Sequence, residues 1–353
     1  MKPALRVISP GLMTTLQDLG RIGYQHLGIP VSGALDGVSL RAANAIVGNP
    51  PGAGALEIAY RGPTLKVQAD SVRLAYAGGV AAIEVLDDAK AVSGMRVPPL
   101  QSVCLRRGQV LRVGALAGSV VGYLAVEGGF DATPALGSQS TYMRAGLGGF
   151  DGRALRAGDV LGLRRPEAEE REERQLLTLD LAPPPRIRVV LGPQDDYFSA
   201  RGLRTLLESA YAVSAASDRM GMRLDGPTLE HSKGSNIVSD GIAPGAIQVP
   251  GNGLPIVLLA DRQTTGGYPK IATVIAADLP TLGRLAPGAR LAFEAVSVEA
   301  AEAAYRQHTS LLTALPRQLV SLRDASRIDE AALLASNLVS GVISAHDPRG
   351  EQP

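Results

Sequence analysis

The sequence predicts a mainly β protein, and three observations support this fold class. Segments 64–68, 72–76 and 110–113 alternate apolar and polar residues, as strands with one buried face do. Glycine or proline interrupts such segments about every ten residues, which is typical of antiparallel sandwiches and barrels. Residues with helical apolar spacing occupy only a few short segments.

Three helices are expected between the strands. Residues 38–47 have helical apolar spacing and end at a Gly-Asn-Pro-Pro sequence, which is a C-terminal helix signal. Residues 201–211 and 298–308 are the other two candidates. Asp36 stands just before the first helix, where an N-cap that accepts hydrogen bonds from free N–H groups is a simpler role than general-base catalysis.

A charged run at 167–174, followed by three prolines, divides the chain. A linker is the preferred interpretation, and a solvated helical turn is the alternative. Gly-Pro-Thr-Leu occurs both at 62–65 and at 226–229, which indicates two related barrels unless the similarity is chance. The predicted domains are an N-terminal barrel at 1–165, the linker at 166–186, a C-terminal barrel at 187–300, and a helical tail at 301–353 with an amphipathic segment at 328–343 and a frayed end.

The charge balance argues against nucleic acid or an anionic membrane as a partner. Lys and Arg total 35 and Asp and Glu total 34, so the net charge is +1 and no broad basic surface is expected. No apolar run approaches the ~20 residues that span a bilayer, and the first residues lack the apolar core of a signal peptide. A cytoplasmic protein is therefore expected.

Cysteine and histidine usage excludes several kinds of site. The single cysteine, Cys104, excludes an intrachain disulfide, and its alternating surroundings favour a small core residue over a nucleophile. The four histidines lie far apart without metal-ligand spacing, so no metal-ligating residue is predicted. Phosphate-loop, metalloprotease and serine-hydrolase motifs do not occur in the sequence.

Residues 261–269, Asp-Arg-Gln-Thr-Thr-Gly-Gly-Tyr-Pro, form the segment most typical of a site. They follow the apolar run 254–260, which predicts a buried strand that ends at this point. Polar groups at a strand end, on a backbone that two glycines allow to bend, are typical of a binding site. A hairpin turn with incidental polar residues is the alternative.

Two further segments pair arginine with other charged residues. Asp18 and Arg21 are interpreted as a bidentate pair that fixes a loop, with binding of a substrate carboxylate or phosphate by Arg21 as the alternative. Arg219 and Arg223 stand four residues apart. They would either clamp a phosphate or carboxylate or be surface charges.

Four other polar side chains lie in apolar surroundings. Asn44, Asn49 and Glu57 stand beside apolar residues, where a buried polar group must be hydrogen-bonded, so all three are candidate buried anchors. Gln248 stands in a strand-like setting between the arginine pair and the segment 261–269.

Longer motifs resemble a known family. They are TTLQDLGRIGYQHLGIPVSGALD, LRAANAIVGN, LEIAYRGPTL, GPQDDYF, SDRMGMRLDGP, PGAIQVPGNGLPIVLLADRQTTGGYPKIATV and LAPGARLAF, in that order. Together they are similar to the biotin-dependent carboxyltransferase, KipA-like family, which includes the C subunit of 5-oxoprolinase, also labelled allophanate hydrolase subunit 2. The resemblance covers roughly residues 5 to 295.

The resemblance implies two cyclophilin-like β-barrel domains with a few short helices, acting within a heteromeric complex. A KipI-like subunit would bind this chain with the active site near their junction, and a LamB/YcsF-like subunit would complete the enzyme. ATP with Mg²⁺ would be the co-substrate, bound at the interface with the KipI-like subunit.

Site residues follow when the family's polar motif positions are carried over to this sequence. Arg284 stands where relatives tend to have Gln, and Gln139 stands where they often have Arg, and both departures weaken any transfer of substrate identity. The residues expected to act in catalysis are Asp261, Arg219, Arg223, Gln263 and Tyr268, and those expected to bind a small-molecule substrate are Gln17, Asp18, Arg21, Asp36, Asn44, Gln248, Thr264, Gly266 and Gly267.

The expected reaction is ATP-dependent opening of 5-oxoproline, a lactam, to L-glutamate. Amide resonance makes the lactam resist water, and phosphorylation of its oxygen would create a leaving group. Arg219, Arg223 and the backbone amides of Gly266 and Gly267 would stabilise the phosphoryl charge. Asp261 would orient water or metal-bound nucleotide.

Two other functions stay open from the sequence. The first is transfer of a carboxyl group from carboxybiotin to urea or a similar amide, with Gln248, Gln263 or Tyr268 donating hydrogen bonds to the biotin enolate. The chain lacks a Met-Lys-Met biotinylation motif, which favours lactam opening. The second is a non-enzymatic KipA-like regulator that binds a KipI-like kinase inhibitor.

Overall fold

The computed structural model describes residues 2–88, 91 and 93–322. The mainly β prediction is confirmed: the first half forms a nine-stranded sheet curled into a half-barrel, and the second half forms a closed barrel of seven strands. Two short two-stranded sheets accompany them. The amphipathic segment predicted at 328–343 lies outside the described residues.

The half-barrel is built around two long strands that pair antiparallel over most of their length. Register shifts between Gly78 and Val80 and between Ala81 and Ile83 bend this pair, as bulges do. The strands are β1 (Ala4–Ser9), β2 (Met13–Gln17), β3 (Ala55–Ala59), β4 (Thr64–Val67), β5 (Ser71–Leu86), β6 (Met95–Val97), β7 (Ser102–Arg106), β8 (Val110–Val126) and β9 (Val160–Gly162).

The remaining strands belong to the closed barrel and the two small sheets. The barrel order is β11-β18-β15-β16-β13-β12-β19, and closure leaves no unpaired edge. These strands are β10 (Arg174–Leu176), β11 (Ile187–Leu191), β12 (Ala210–Val213), β13 (Gly221–Asp225), β14 (Asp240–Gly241), β15 (Ala246–Gln248), β16 (Ile256–Leu258), β17 (Thr265–Gly266), β18 (Lys270–Val274), β19 (Arg290–Ala295) and β20 (Leu319–Ser321).

Four α-helices occur within the described part of the chain: α1 (Gly37–Val47), α2 (Ala200–Glu208), α3 (Leu279–Arg284) and α4 (Val298–Ala314). All three predicted helices are present. The second ends earlier than expected because residues 210–213 form β12, and the third continues further. None of the helices in these residues is long and apolar enough to cross a membrane.

The ends of α1 agree with the sequence. The Asp36 carboxylate accepts hydrogen bonds from the backbone N–H groups of Val38 and Ser39, so the N-cap prediction is confirmed. Gly48, with φ of 80°, ends the helix in the left-handed conformation that glycine adopts at little cost. Between these ends the apolar face of α1 packs on β5 and β8.

The C-terminal end of the described chain packs back on the first half. Strand β20 pairs with β10, so residues 319–321 lie beside residues 174–176. Leu315 and Leu176 are buried in one apolar cluster with Leu40 and Ile46 of α1. The layer that covers one face of the half-barrel therefore combines the beginning, middle and end of the described chain.

The charged segment that was predicted as a linker contacts the half-barrel through buried ion pairs. Arg73 on β5 is 3% exposed; its Nη1 lies 2.8 Å from Glu127 and its Nε lies 3.1 Å from Glu173. Arg171 forms a second ion pair with Glu127 at 3.2 Å. We call these four residues the Arg73 network. Charges near the end of the run thus pair with strand residues, a partnership that local composition does not show.

Cys104 corrects another sequence prediction. It lies exposed on β7, between half-buried Val103 and buried Leu105. The expectation of a core position was wrong because alternation fixes a two-residue period without fixing which face is buried.

Candidate functional site

An arginine crosses the junction between the half-barrel and the closed barrel. Arg219, just before β13, donates from Nε to Asp261 Oδ2 at 2.9 Å and from Nη2 to Asp261 Oδ1 at 3.2 Å. Its Nη1 donates to Glu57 of β3, and its Nη2 also donates to the Gly33 carbonyl at 2.6 Å. Burial lowers the pKa of Arg219, but Glu57 and then Asp261 raise it further than burial lowers it, so the guanidinium stays charged.

Glu57 also forms hydrogen bonds that connect Arg219 with the loop before α1. Glu57 Oε2 accepts hydrogen bonds from the Tyr123 hydroxyl at 2.5 Å and from the Leu35 N–H at 2.9 Å. The Tyr123 oxygen in turn accepts from the Asp36 N–H at 2.9 Å. Burial, and secondly the charge of Glu57, hold the pKa of Tyr123 well above its usual value, so it remains a donor. The prediction of Glu57 as a buried anchor is confirmed. We call Arg219, Asp261, Glu57 and Tyr123 the junction network.

An open cleft of about 280 Å³ lies against the junction network, and we call it the junction cleft. Glu57, Arg219 and Asp261 form its charged wall. Arg144 and Asp218, 3.7 Å apart, also line the cleft. The rest of the lining is largely apolar and includes Met13, Met143, Met220, Met222, Leu282 and Leu285. A cleft of this kind suits a ligand with a mainly apolar body and a few polar groups.

The Arg219–Arg223 clamp predicted from the sequence is not present. Arg223 is exposed on β13, whereas Arg219 points into the junction network, where two carboxylates and a carbonyl accept its hydrogen bonds. Asp261 is likewise held by Arg219 and is largely buried. Arg219 and Asp261 therefore form a structural cross-link at the cleft wall, and the two arginines do not converge on one ligand.

Asp18 and Arg21 form no ion pair with each other in the part of the chain described, so the predicted bidentate pair was wrong. Asp18 accepts hydrogen bonds from Ser138 Oγ and Gln139 N, both at 2.6 Å, and from Ser140 Oγ at 2.5 Å. Arg21 donates from Nη2 to the Ser140 carbonyl, but its buried Nε and Nη1 have no partner among the described residues. Burial lowers the pKa of Arg21, against the opposing charges of Asp18 and Asp261.

Three of the predicted substrate-binding residues are bonded within the fold. Gln17 Nε2 donates to Thr15 Oγ1 and to the Thr141 carbonyl, and Asn44 Nδ2 donates to the Ala53 carbonyl at 2.8 Å. Asp36 caps α1, is fully buried, and lies 3.1 Å from Arg284. None of these three side chains lines the junction cleft. Arg284, one of the departures from the family pattern, thus has a structural partner.

A second polar group lies at one end of the closed barrel. Gln263 Nε2 donates to Gln248 Oε1 at 3.2 Å, which leaves the buried Gln248 Nε2 without a partner in the described chain. Lys270, only 3% exposed, lies 2.9 Å from Asp240 Oδ2. Sequence analysis missed Lys270, although it directly follows the segment 261–269. We call Gln248, Gln263, Lys270 and Asp240 the barrel-end cluster.

The glycine-rich part of the segment 261–269 borders this cluster. A Cβ placed on Gly266 would lie 2.7 Å from Gln248 Nε2, so the missing side chain lets the backbone approach the amide. Tyr268 is 43% exposed, and Thr264 and Gly267 are partly exposed. The structure therefore brings Gln248, Gln263 and Gly266 together and places Arg219 and Asp261 at the junction.

A single methyl group should test how tightly the barrel-end cluster is packed. Gly266→Ala is expected to lower the free energy of unfolding by about 1–3 kcal/mol, because the new Cβ meets Gln248 Nε2 and Ile242 Cδ1, both at 2.7 Å. Gly241 pairs with Thr265 in the same small sheet, and a Cβ there meets nothing within 4 Å. Gly241→Ala is therefore the matched control in urea denaturation. Equal effects of the two substitutions would contradict the close approach.

The described residues do not present a set of side chains that suits a metal ion. Within residues 2–88, 91 and 93–322, no group of three or more His, Cys, Asp or Glu side chains is arranged to hold a metal ion. The carboxylates of the junction cleft and the barrel-end cluster each pair with an arginine or a lysine; they are Glu57, Asp218, Asp240 and Asp261.

Comparisons with known proteins agree on one family. The model of the carboxyltransferase domain, subdomain A and B, matches residues 27–295. The chain is 38% identical to the C subunit of 5-oxoprolinase from Escherichia coli (strain K12) over 84% of its own length and 93% of that protein. It is 37% identical to the C subunit of the Haemophilus influenzae 5-oxoprolinase over 86% and 94%.

A solved structure shows the same architecture. The crystal structure of the K. lactis urea amidolyase superposes with a TM-score of 0.80 at 29% identity over 89% of this chain. The matched region is only 20% of the urea amidolyase chain, so the two proteins share this part alone.

Proposed function

Because the chain belongs to the family of the carboxyltransferase domain, subdomain A and B, we propose that it is the C subunit of an ATP-dependent 5-oxoprolinase. In this role it cleaves 5-oxoproline to L-glutamate with ATP hydrolysis, together with a LamB/YcsF-like and a KipI-like subunit. The observation that carries the proposal is the match over 93% of the Escherichia coli C subunit, compared with 20% of the urea amidolyase chain.

The barrel-end cluster supplies the polar groups for a lactam. Gln263 holds the Gln248 carbonyl oxygen, and the buried Nε2 of Gln248 has no partner among the described residues. This Nε2 would donate a hydrogen bond to the lactam carbonyl once the Gly266 backbone moves away from it. A donor fixed in a buried setting stabilises charge that develops on that oxygen more than it stabilises the ground state. Lys270 lies in the same cluster, where it pairs with Asp240. The exposed phenol of Tyr268 and the backbone at Gly266 and Gly267 would border the substrate.

The side chains expected to bind the nucleotide are engaged within the described fold. Arg219, which the sequence pointed to as a phosphate ligand, is committed to Glu57 and Asp261, and Asp261 is not free to bind Mg²⁺. The described residues hold no acidic group arranged for a metal. ATP with Mg²⁺ does not fit these side chains alone, so we propose that the nucleotide lies on the KipI-like side of the interface.

Reconstitution tests the proposal directly. The purified chain, combined with its LamB/YcsF-like and KipI-like partners, is expected to release ADP and glutamate only when 5-oxoproline is present. Gln248→Leu should reduce this turnover by about 10²–10³-fold, because one donor to the developing oxyanion is lost. Size-exclusion chromatography should show that the complex still forms.

The control is Arg306→Met, which removes an exposed ion pair with Glu302 on α4 and should leave turnover unchanged. An intact assembly that does not turn over 5-oxoproline would overturn the proposal. Carboxylation of urea in the presence of carboxybiotin would instead support the carboxyltransferase alternative, which the similarity to the urea amidolyase favours.

A further inference from the structure

A smaller cavity adjoins the junction cleft. It measures about 160 Å³ and shares Leu35 and Leu259 with the wall of the junction cleft. Its walls are mostly apolar, and they include Val31, Leu258 and Leu279. Ser32 and Arg262 contribute the polar side chains. We call this space the Arg262 cavity.

Arg262 is a buried cation without a counterion. Its side chain is 2% exposed, and it forms no ion pair with any residue that the structure describes. Nε donates to the Ile242 carbonyl at 3.1 Å, and Nη1 makes a long contact with the Leu259 carbonyl at 3.5 Å. A guanidinium has five N–H donors, so most of those of Arg262 have no acceptor among the described residues. Burial lowers the pKa of Arg262 to about 10, yet it stays protonated at neutral pH.

Carboxylates lie near the other large buried arginines of the fold. Arg219 and Arg73 each contact two carboxylates. Arg21 forms no ion pair among the described residues, but the charges of Asp18 and Asp261 act on its pKa, whereas burial alone shifts the pKa of Arg262. An isolated buried charge is costly, whereas a charge paired and hydrogen-bonded in the same place is tolerated. The contrast indicates that the partner of Arg262 comes from outside the described residues.

Ser32 gives a second, independent indication of a ligand. It is 5% exposed, and no described residue forms a hydrogen bond with its Oγ. Its backbone has a φ of 55°, a left-handed conformation that is uncommon for serine, and its N–H is held by the Ala260 carbonyl at 3.0 Å. Strained residues of this kind persist where the surroundings hold them, and they cluster at ligand sites.

The size and chemistry of the cavity define its ligand. An engineered apolar cavity of about 150 Å³ holds benzene, so this cavity has room for a ring of five or six atoms. Apolar walls suit a hydrocarbon body, and a lining that includes both a guanidinium and a hydroxyl suits a planar carboxylate. We propose that the Arg262 cavity binds a small cyclic monocarboxylate, with the carboxylate on Arg262 and Ser32 and the ring on Leu35, Leu258 and Leu279.

This site does not depend on the proposed reaction. Arg262 and Gln263 are neighbours in the chain, but Gln263 contacts Gln248 in the barrel-end cluster, whereas Arg262 lines the cavity. 5-Oxoproline is itself a five-membered ring with one carboxylate, so the ligand class includes the proposed substrate. The site rests on Arg262, Ser32 and the cavity walls, and its test uses binding alone, so its failure is distinct from a failure of turnover.

Calorimetric titration of the full chain with cyclopentanecarboxylate tests the proposal. Saturable binding is expected, and cyclopentanecarboxamide, which has the same ring without the charge, should bind much more weakly. Arg262→Met should weaken binding of the carboxylate by about 10–100-fold, since a hydrogen bond to a charged group is lost. Ser32→Ala, which removes only the hydroxyl, should weaken it by a smaller factor.

The matched control is Arg186→Met. Arg186 also donates only to backbone carbonyls, those of Leu207 and Phe293, but it lies at the surface. Its replacement should not change binding. Absence of carboxylate binding by the wild-type chain would overturn the proposal, and so would equal binding to the wild type and to folded Ser32→Ala and Arg262→Met variants. Inorganic phosphate that binds in place of the carboxylate would also overturn it.

Discussion

Replacing Arg219 by methionine is expected to lower the free energy of unfolding by about 3–5 kcal/mol, the range found when one partner of a buried ion pair is removed. Glu57 and Asp261 are 5% and 8% exposed, and both would lose their cation. The Gly33 carbonyl would lose its hydrogen bond as well. Since these groups come from both halves of the fold, the loss should also loosen their junction.

Urea denaturation followed by circular dichroism measures this effect. The control is Arg306→Met: Arg306 and Glu302 are 69% and 65% exposed, so this pair should contribute less than about 1 kcal/mol. Equal stabilities of the two variants would show that the junction network is open to water in solution. A large loss for Arg219→Met would mean that reduced turnover of this variant reflects its fold, not a phosphate contact.

Replacing Arg73 by methionine is the second large expected effect, again a loss of about 3–5 kcal/mol. Arg73 holds Glu127 and Glu173, and it also donates to the carbonyls of Glu169 and Arg171 at 3.0 Å. Without it, Glu127 keeps only the ion pair with Arg171. The segment 169–173 should then detach from β5 and become a substrate for proteases.

The matched substitution is Arg107→Met. Arg107 also pairs with a carboxylate of the half-barrel, Asp70, but the two side chains are 47% and 67% exposed. Its replacement should cost less than about 1 kcal/mol and should not change the rate of limited proteolysis. If residues 169–173 stay resistant in the Arg73→Met variant, the charged run is held by contacts other than the Arg73 network.

The parts of the fold that sequence predicted are those with local causes. Helix α1 was placed within one residue at its start because Asp36 and Gly48 act on backbone groups a few positions away. The polar segment 261–269 was recognised because its composition contrasts with the strand before it. Alternation along β7, by comparison, does not show whether the face of the strand that carries Cys104 is buried or exposed.

The parts that sequence missed depend on distant partners. Arg219 and Glu57 are 162 positions apart, and Arg73 and Glu173 are 100 apart, so no local pattern links them. The sequence therefore led us to interpret Arg219 as a substrate ligand, whereas in the structure it links Glu57 to Asp261. Arg262 shows the opposite case: it lies within the recognised segment, but only the fold shows that it lacks a partner among the described residues.

The late position of Leu315 has a consequence for synthesis on the ribosome. Leu315 and the β20 strand complete the apolar layer over α1, but they follow α1 by roughly 270 residues. At translation rates of about 5–20 residues per second, this gap amounts to roughly 15–50 s. During that time the apolar face of α1 lacks its final cover, so the nascent chain exposes apolar surface there. The half-barrel comes first along the chain, but the apolar layer that covers it can be completed only after the closed barrel has been synthesised.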